Sequence, residues 1–394
     1  MPIDYQQIYA KIQEIGRGAR ERKKTLQERR TKARDWLNKY ASELDALRSK
    51  VDAAKAIDQN IRCALPLDEP LASSYPKPDS DIQATLIAAD GSQINPDRHA
   101  AIQFSLVNVG AITMRLNSGE APKIDTESEL LFGEDLLPNG FPLSEGMVAL
   151  KRDVAERTKL DELSKGIKGQ VVTFTDGPIE LWGAKGEDAK SYEEYTKKYM
   201  GVLSRLQSRG VITAGYVDKP SADLVIRLLE IMTADNDQLQ KLREYHPLRG
   251  VSDRWLYGEK ENPLLSPGHR SAIFHIQSSS EKSYKGVLSL HFFYLNVGTE
   301  GHPWPVRVEV PKWVVDDKEK LDLLHAVLVE QCRMMGSRPY PYLLHRAHET
   351  AVVKHEEKQQ IEQLLTLELR KNNEDVADGS YKQSAKDLPG KTRR

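Results

Sequence analysis

The stretch TLIAADGS, residues 85–92, and the stretch VVTFTDGP, residues 171–178, decide the fold of this chain. Each is a short apolar run that stops at an Asp-Gly pair, which is typical of a buried strand. If the two strands lie side by side, Asp90 and Asp176 come together, and two carboxylates on rigid backbone are suitable ligands for a divalent metal ion. The repeat therefore predicts a metal site of the kind used in phosphodiester chemistry. For either Asp-Gly pair alone, the alternative is a tight hairpin turn.

The size and composition of the chain predict a globular protein. With 394 residues, 39% of them hydrophobic, we expect two or three domains and a substantial core. No apolar run approaches the roughly 18 residues of a membrane helix, and the first residues do not resemble a secretory signal. We therefore expect a cytoplasmic protein without a membrane partner. Cys63 and Cys332 lack the spacing of a zinc site or a disulfide framework and are interpreted as packing residues.

The formal net charge is only -1, but positive charge is concentrated near the start of the chain. Between Gly16 and Arg34 there are nine Lys or Arg residues and two Glu residues. Such a stripe is suited to lie along a polyanion, and the alternative is a solvated helix face.

The N-terminal region is predicted to be helical over residues 5–58. Apolar residues between Leu37 and Ala54 recur at spacings of three and four, which predicts a coiled-coil-like seam. The seam would pack against the main domain or against a second subunit. Residues 66–80 are rich in Pro, Ser and Asp and are predicted to form a linker. The N-terminal extension would therefore cover residues 1–65, and a polar tail, residues 372–394, is predicted to be disordered.

The central region predicts an α/β fold, a mixed sheet flanked by helices. The element order is β-β-β-α-β-α-β-α, in which short links indicate hairpins and helical crossovers indicate parallel strands. This is the order of the ribonuclease H-like fold. The predicted strands are 85–90, 100–109, 111–116, 171–176 and 211–217, the predicted helices are 144–165, 192–208 and 221–232, and residues 117–144 are predicted to form a long loop.

A C-terminal α+β addition is predicted to follow. Strands are expected at 271–277, 286–297 and 306–310, and helices at 318–335 and 342–370.

Further metal ligands are expected near the two aspartates. On the helix 144–165, Glu156 shares a face with Arg152, while Glu162 is a competing candidate and a surface salt bridge is the alternative for Glu156. His345 and His348 lie near the start of the helix that follows a proline-rich turn. An imidazole among carboxylates suits manganese better than calcium.

Seven fragments, in this order, resemble the NurA nuclease family. The resemblance covers residues from about 84 to 356. The fragments are Ala89–Ser92 (ADGS), Arg152-x-x-x-Glu156, Phe174–Pro178 (FTDGP), Gly215–Pro220 (GYVDKP), Ser266–Ser271 (SPGHRS), Val306–Pro311 (VRVEVP) and Tyr340–His348 (YPYLLHRAH).

The resemblance implies a manganese-dependent deoxyribonuclease with a ribonuclease H-like core, with Mg²⁺ as an alternative cofactor. Its NurA domain would span residues 81–356, with the core at about 84–235 and the C-terminal strands and helices at 250–370. Asp90, Glu156, Asp176 and His348 match the family's metal and catalytic residues, and the two aspartates match most closely. The family is implied to act on single- and double-stranded DNA, as a 5'-3' exonuclease and single-strand endonuclease. It is further implied to be a homodimer that works with a HerA-type hexameric ATPase in DNA end resection and double-strand break repair.

The candidates for phosphate contact are Lys219, Arg270, Arg152 and the basic stripe from Arg17 to Arg34, with plain surface charge as the alternative. Tyr342 is the candidate for stacking on a base. Two rival functions remain open at this point: a non-catalytic DNA-binding scaffold, and another ribonuclease H-like nuclease that acts on RNA or branched DNA. The chain lacks the phosphate-binding motif Gly-x-x-x-x-Gly-Lys-Ser/Thr. An ATP-driven motor would therefore be a separate protein.

Overall fold

The computed structural model describes residues 4–79, 83–182 and 188–372. The chain forms two compact units. The first contains the chain up to Pro78, Val217–Lys285 and Ser289–Glu309, and the second contains Asp79–Tyr216, Gly286–Leu288 and the chain from Val310 onward. The sequence-based division at residues 1–65 and 81–356 remains a prediction, and the predicted disordered tail lies almost wholly outside the described residues.

Helices account for much of both units. Among the described residues there are twelve α-helices, and none of them is long and apolar enough to span a lipid bilayer. They are α1 (Tyr5–Arg17), α2 (Ala19–Tyr40), α3 (Leu44–Ile57), α4 (Glu145–Leu163), α5 (Ala189–Ser208), α6 (Leu224–Thr233), α7 (Asn236–Gln240), α8 (Asp253–Tyr257), α9 (Lys312–Val315), α10 (Lys318–Arg333), α11 (Tyr342–Ala351) and α12 (His355–Lys371).

Strands occur in both units, and short 3₁₀ turns occur at Gly133–Leu136, Pro138–Gly140, Ser279–Lys282 and Gly286–Leu288. The strands within the described residues are β1 (Cys63–Pro66), β2 (Ser74–Tyr75), β3 (Thr85–Ile94), β4 (Ser105–Arg115), β5 (Lys123–Leu131), β6 (Val171–Asp176), β7 (Ile212–Val217), β8 (Arg270–Ser271), β9 (Phe274–Gln277), β10 (Leu290–Asn296) and β11 (Pro305–Pro311).

The sheet of the second unit has the strand order β7-β6-β3-β4-β5. Strands β3, β4 and β5 form an antiparallel meander, and β6 lies parallel to β3 on one side and to β7 on the other. Helix α4 packs against β3 and β4, and helix α11 packs against the same two strands. This mixed sheet flanked by helices confirms the predicted ribonuclease H-like core.

The apolar runs of β3 and β6 form the centre of this sheet because their side chains are buried by the flanking helices. Residues Leu86–Ala89 of β3 and Val172 and Phe174 of β6 are fully buried. Helix α4, which lies between β3 and β6 in the sequence, begins where the sequence predicts. The Ser144 hydroxyl caps it by accepting a hydrogen bond of 3.1 Å from the backbone N–H of Met147.

The meander differs from the prediction in three places. Strand β3 does not stop at Asp90 but continues to Ile94, paired with β4 throughout, so its Asp-Gly pair is not a turn. Strand β4 continues through Gly110 as a single strand. The third strand is β5, which lies inside the predicted loop at 117–144. Its residues are mostly exposed, because it lies at the edge of this unit's sheet, and it therefore lacks an apolar run.

The predicted helix at 342–370 is two helices, α11 and α12. The break follows Ala351, whose carbonyl oxygen accepts hydrogen bonds from the Ser92 hydroxyl at 2.5 Å and from Asn108 Nδ2 at 2.7 Å. The Ser92 hydroxyl also accepts a bond of 3.1 Å from the N–H of Val353. These bonds tie the end of α11 to β3 and β4 and turn the chain out of the helix.

The first unit combines the N-terminal helices with short antiparallel strands. Strand β9 pairs with β1 and β10, and strand β8 pairs with β2 and β10. Strand β2 lies within residues 66–80, which the sequence predicts to be a linker, so part of that segment is paired in a sheet instead. The predicted seam packs within this unit, because Leu47, Val51 and Ala54 are buried and α3 contacts α6 and β1.

Candidate active site

The register of two neighbouring strands brings the two aspartates together. Ala89 of β3 is paired with Thr175 of β6, and Asp90 and Asp176 are the next residue on each strand. Adjacent strands lie about 4.8 Å apart, so the two carboxylates are close neighbours at the same level of the sheet. Both line a cavity of about 340 Å³.

The glycine after Asp90 allows helix α4 to approach strand β3. A Cβ atom at Gly91 would lie 2.5 Å from Arg152 Cγ and 2.7 Å from Glu156 Oε1. A side chain at this position would therefore displace both residues. Because Gly91 has no side chain, the carboxylate of Glu156 can lie against β3 beside Asp90. Glu156 is only 6% exposed and lines the same cavity.

A second close approach brings His348 to Asp90. Gly110 is the residue opposite Asp90 on β4, and a Cβ atom there would lie 2.6 Å from the backbone nitrogen of Ala351 on α11. The helix therefore lies directly on the strand. His348 Nδ1 is 2.6 Å from Asp90 Oδ2, and this contact leaves the Nε2 atom of the imidazole turned away from Asp90. The His348 side chain is 61% exposed.

The turn after Asp176 is held by contacts on both sides. Gly177 has a φ of +86°, in the left-handed region that favours glycine, and its N–H donates a 2.8 Å hydrogen bond to the carbonyl of Tyr216. A Cβ atom at Gly215 would lie 2.6 Å from the Gly177 carbonyl oxygen. The hydroxyl of buried Tyr199 donates a 3.0 Å bond to the carbonyl of Ile179. The Asp-Gly-Pro segment is thus fixed over β7.

Negative charge dominates the cavity. Five carboxylates line it, together with two guanidinium groups and the His348 imidazole; the carboxylates are those of Asp90, Asp153, Glu156, Asp176 and Glu180. Burial raises the pKa of Glu156 well above its ordinary value, and the neighbouring Asp153 and Asp90 raise it further. Burial also raises the pKa of Asp153, against the lowering effect of Arg152. These carboxylates are crowded together in a small volume.

The two guanidinium groups have different environments. Arg152 donates a 2.9 Å bond to Asp153 Oδ1, and its Nε lies 3.4 Å from Glu156 Oε1. Arg157 is only 1% exposed and bonds instead to neutral groups: the hydroxyls of Thr175 and Thr213 at 2.6 and 3.0 Å and the carbonyl of Ala214 at 3.2 Å. Its Nε has no hydrogen-bond partner among the described residues. Arg157 therefore joins α4 to the ends of β6 and β7 beneath the cavity.

The donor set suits a hard divalent cation, because carboxylate oxygens are the ligands that Mg²⁺ and Mn²⁺ prefer and one imidazole is available. The donors are not, however, drawn together around one point. Within residues 4–79, 83–182 and 188–372, no group of three or more His, Cys, Asp or Glu side chains has the geometry of a metal site. The chemistry of the cavity fits a divalent metal, whose binding would require these side chains to adjust.

The comparison with protein families gives one match. A model of the NurA domain matches residues 84–353, which is more than half of the chain. This chain belongs to the NurA nuclease family. A search of curated proteins gave no match for this NurA-family chain.

Among solved structures, the chain is similar to the NurA nuclease of Sulfolobus solfataricus, with 11% identity, a TM-score of 0.48, and coverage of 93% of this chain and 98% of that one. It is also similar to endonuclease V of Ciona intestinalis in complex with a 24mer DNA, with 12% identity, a TM-score of 0.30, and coverage of 79% and 96%. The catalytic domain of human endonuclease V gives 15% identity, a TM-score of 0.30, and coverage of 73% and 86%.

The structure brings together the four residues that the NurA resemblance selects. Asp90, Glu156, Asp176 and His348 all line the cavity. The competing candidates do not. Glu162 is exposed further along α4, and His345 Nε2 lies 3.5 Å from the Oε1 atom of Glu349 on its own helix.

The four proposed DNA-contact residues of this NurA-family chain have different surroundings. Arg152 lines the cavity, and Tyr342 is half-buried at the first position of α11. Lys219 is exposed in the first unit. Arg270 is 7% exposed and forms a bidentate ion pair with Glu69, with both distances at 2.9 Å. Its charge is therefore already neutralised within the first unit.

Several cavity residues were not identified from the sequence: Asp153, Arg157, Glu180, Trp182 and Tyr199. A signal was present for Asp153, which lies one helical turn before Glu156 on α4. Glu180 and Trp182 follow the Asp-Gly-Pro turn closely, and their place at the cavity depends on the path of the chain after that turn. Tyr199 reaches the cavity only through the packing of α5.

Proposed function

We propose that this protein is a divalent-metal-dependent DNA nuclease whose active site is the carboxylate-lined cavity. The observation that carries the proposal is the gathering of five carboxylates in one cavity with two guanidinium groups. A protein gains no stability from such crowding, since like charges repel and burial adds a desolvation cost. Carboxylates held together in this way are typical of sites that bind a cation for catalysis.

A phosphodiester group is itself an anion, so this cavity would repel it unless added positive charge offsets the carboxylates. Asp90, Glu156, Asp176 and His348 would hold the cation. When bound, a divalent cation supplies a Lewis acid for a phosphate oxygen and lowers the pKa of a water molecule. We propose Mn²⁺ as the cofactor because of the imidazole, with Mg²⁺ as the alternative.

The side chains of the chain itself would position the reacting groups. The contact between His348 Nδ1 and Asp90 orients the imidazole so that Nε2 is the nitrogen that can bind a ligand or move a proton. Arg152, about one-third exposed at the cavity, is placed to contact a phosphate of the bound strand. The buried segments that precede Asp90 on β3 and Asp176 on β6 hold the backbone of the two aspartates in place, which limits the backbone reorganisation needed during the reaction.

The finer functional assignments are part of this proposal and rest on membership of the NurA family. They are 5'-3' exonuclease and single-strand endonuclease activity on DNA, homodimerisation, and action with a HerA-type ATPase in DNA end resection and double-strand break repair. Strands labelled at the 5' or 3' end would determine polarity, and light scattering after gel filtration would determine the oligomeric state. Stimulation of cleavage by a HerA-type ATPase from the same genome would test the partner.

The central test uses matched pairs of variants in the full-length protein. Asp90→Asn and Asp176→Asn should each lower kcat/KM by about a thousandfold on labelled DNA with Mn²⁺, because each removes a charged ligand. Glu156→Gln should be strongly impaired while Glu162→Gln, on the same helix, keeps wild-type activity. His348→Gln should be impaired while His345→Gln is not. Cleavage should stop with EDTA.

Three outcomes would contradict the proposal in different ways. Full activity of Asp90→Asn would remove the cavity from the mechanism. Metal-independent binding of DNA with no cleavage by the wild type would favour a scaffold. Cleavage of RNA or branched DNA in preference to linear single- or double-stranded DNA of the same sequence would place the protein with another type of ribonuclease H-like nuclease.

A further inference from the structure

The rim of the cavity carries an exposed aromatic side chain. Trp182 lines the cavity together with Asp90, Asp176 and His348, and it is 52% exposed. Tyr199 also lines this cavity, but it is only 2% exposed. An indole is one of the largest apolar side chains, so leaving half of it in water forgoes a substantial gain in stability.

The chain that leads to Trp182 is well anchored. Between Asp176 and Trp182, Ile179 and Leu181 are 0% and 5% exposed. The carbonyl of Ile179 accepts the hydrogen bond from Tyr199, and the N–H of Gly177 is bonded to Tyr216. The indole is therefore held at the rim by a buried segment that also fixes Asp176. Its position relative to the carboxylates is set by the fold.

We propose that Trp182 stacks on a nucleobase of the bound strand, beside the phosphate that the cavity cleaves. This inference rests on the proposed nuclease function and adds to it a residue that contacts the base. The carboxylates and Arg152 engage the phosphate side of a nucleotide, whereas an indole offers a flat apolar face that suits a base and is indifferent to its identity. A base must be unstacked from one neighbour to make this contact, so the contact favours an unpaired or frayed segment.

The test combines variants with substrates that lack single bases. Trp182→Ala should lower kcat/KM on a fluorescent single-stranded DNA by about 5- to 150-fold, which corresponds to about 1–3 kcal/mol for one stacked base. Trp182→Phe should keep most of the activity because it keeps an aromatic face. The matched control is Phe141→Ala in the same unit, since Phe141 is 66% exposed and does not line the cavity.

A series of oligonucleotides with one abasic site at each successive position then identifies the contact. The wild type and Phe141→Ala should lose activity sharply at one position, whereas Trp182→Ala should show no extra loss there. Binding measured by fluorescence anisotropy, with Ca²⁺ in place of Mn²⁺ so that a divalent cation still offsets the carboxylates, should show the same pattern.

The outcomes separate this inference from the proposed function. If the wild type cleaves DNA and Trp182→Ala is as active as the wild type, or loses activity equally at every abasic position, the stacking role is wrong and the nuclease proposal stands. If the wild type binds DNA with the abasic pattern but cleaves nothing, the stacking contact stands and the nuclease proposal fails. Thermal unfolding of Trp182→Ala and Trp182→Phe checks that both variants are folded.

Discussion

The two compact units surround their buried arginines with different groups. In the first unit these arginines have close carboxylate partners: Arg307 lies 2.9 Å from Glu309, and Arg227 lies 2.7 Å from Glu230. Around the cavity of the second unit, by contrast, carboxylates adjoin other carboxylates, and buried Arg157 bonds to hydroxyls and a carbonyl. A buried arginine that is paired with a carboxylate is typical of a structural role. Carboxylates that are crowded against one another are typical of a ligand site.

The comparison shows that motifs from one family resemblance have different roles. The fragments SPGHRS and VRVEVP place Arg270 beside Glu69 and Arg307 beside Glu309, so their charges are paired within the first unit. The fragments with Asp90 and Asp176 place carboxylates among other carboxylates in the cavity wall. A charged residue in a motif is therefore a better candidate for catalysis when the structure places it among like charges.

The largest expected effect is on the stability of the first unit. Glu309→Gln removes the carboxylate that forms an ion pair with the buried guanidinium of Arg307 and should lower the free energy of unfolding by about 3–5 kcal/mol. Urea denaturation would measure the change. The control is Glu300→Gln, an exposed residue that should change stability by less than about 0.5 kcal/mol. Equal stability of the two variants would show that the Arg307–Glu309 pair does not stabilise the unit.

A second prediction concerns Asp253, the first residue of helix α8, which is fully buried against the start of helix α6. Its carboxylate accepts hydrogen bonds from the N–H groups of Val225 and Ile226 at 2.9 and 2.8 Å and from the hydroxyl of Tyr294 at 2.7 Å. Burial raises its pKa from 3.8 to about 6, although these bonds favour the charged form.

Because the folded state holds this proton more tightly than the unfolded state, the contribution of Asp253 to stability is present below pH 3.8 and is lost as the pH rises to about 6. The loss corresponds to about 3 kcal/mol. The free energy of unfolding of the wild type, relative to Asp253→Asn, should therefore fall between pH 4 and about pH 6 and then level off. Parallel pH profiles for the two proteins would contradict this, and exposed Asp237→Asn is the control.

The centre of the fold was predictable because its signals are local. Strand β6 has the predicted bounds, Val171–Asp176, since a β-prone apolar run is limited there by an Asp-Gly-Pro turn. Helix α4 begins after the predicted cap, Ser144. The pairing of β3 with β6, which brings Asp90 and Asp176 together, follows from the same alternation of strands and helices.

What was not predictable depends on contacts between distant parts of the chain. Strand β5 is polar and exposed, and its acidic residues are compensated by lysines of α4: Lys159 lies 3.3 Å from Asp125, and Lys151 lies 2.7 Å from Glu129. From the sequence, Arg270 is a candidate phosphate ligand. In the structure its charge is neutralised by Glu69, some 200 residues earlier in the chain. Trp182 has no local signal of exposure, because its place at the rim is set by the turn beneath it.

The third prediction tests the crowded carboxylates directly. A cation that binds only the folded state stabilises it, by about 2.7 kcal/mol when its concentration is 100 times its Kd. Thermal unfolding with added Mn²⁺ should therefore show a higher Tm for the wild type and for Glu162→Gln, and no increase for Asp90→Asn or Asp176→Asn. An equal increase for all four proteins would place the binding site elsewhere.

The smallest expected effect comes from the close packing that positions His348. Gly110→Ala adds a Cβ atom where the backbone of α11 lies 2.6 Å away, so the helix must shift or the strand must bend, at a cost of about 2 kcal/mol. Because α11 carries His348, the same change should reduce nuclease activity.

Gly201→Ala is the matched control for this prediction. Its new Cβ would meet only the flexible end of Arg205, at 3.5 Å, and a helical Gly→Ala change stabilises by about 0.5–1 kcal/mol. The free energy of unfolding and kcat/KM should therefore both fall for Gly110→Ala and remain at or above the wild-type values for Gly201→Ala. If Gly110→Ala lost stability but kept full activity, the contact between His348 and Asp90 would not depend on how closely α11 approaches β4, and His348 would be positioned by its own helix alone.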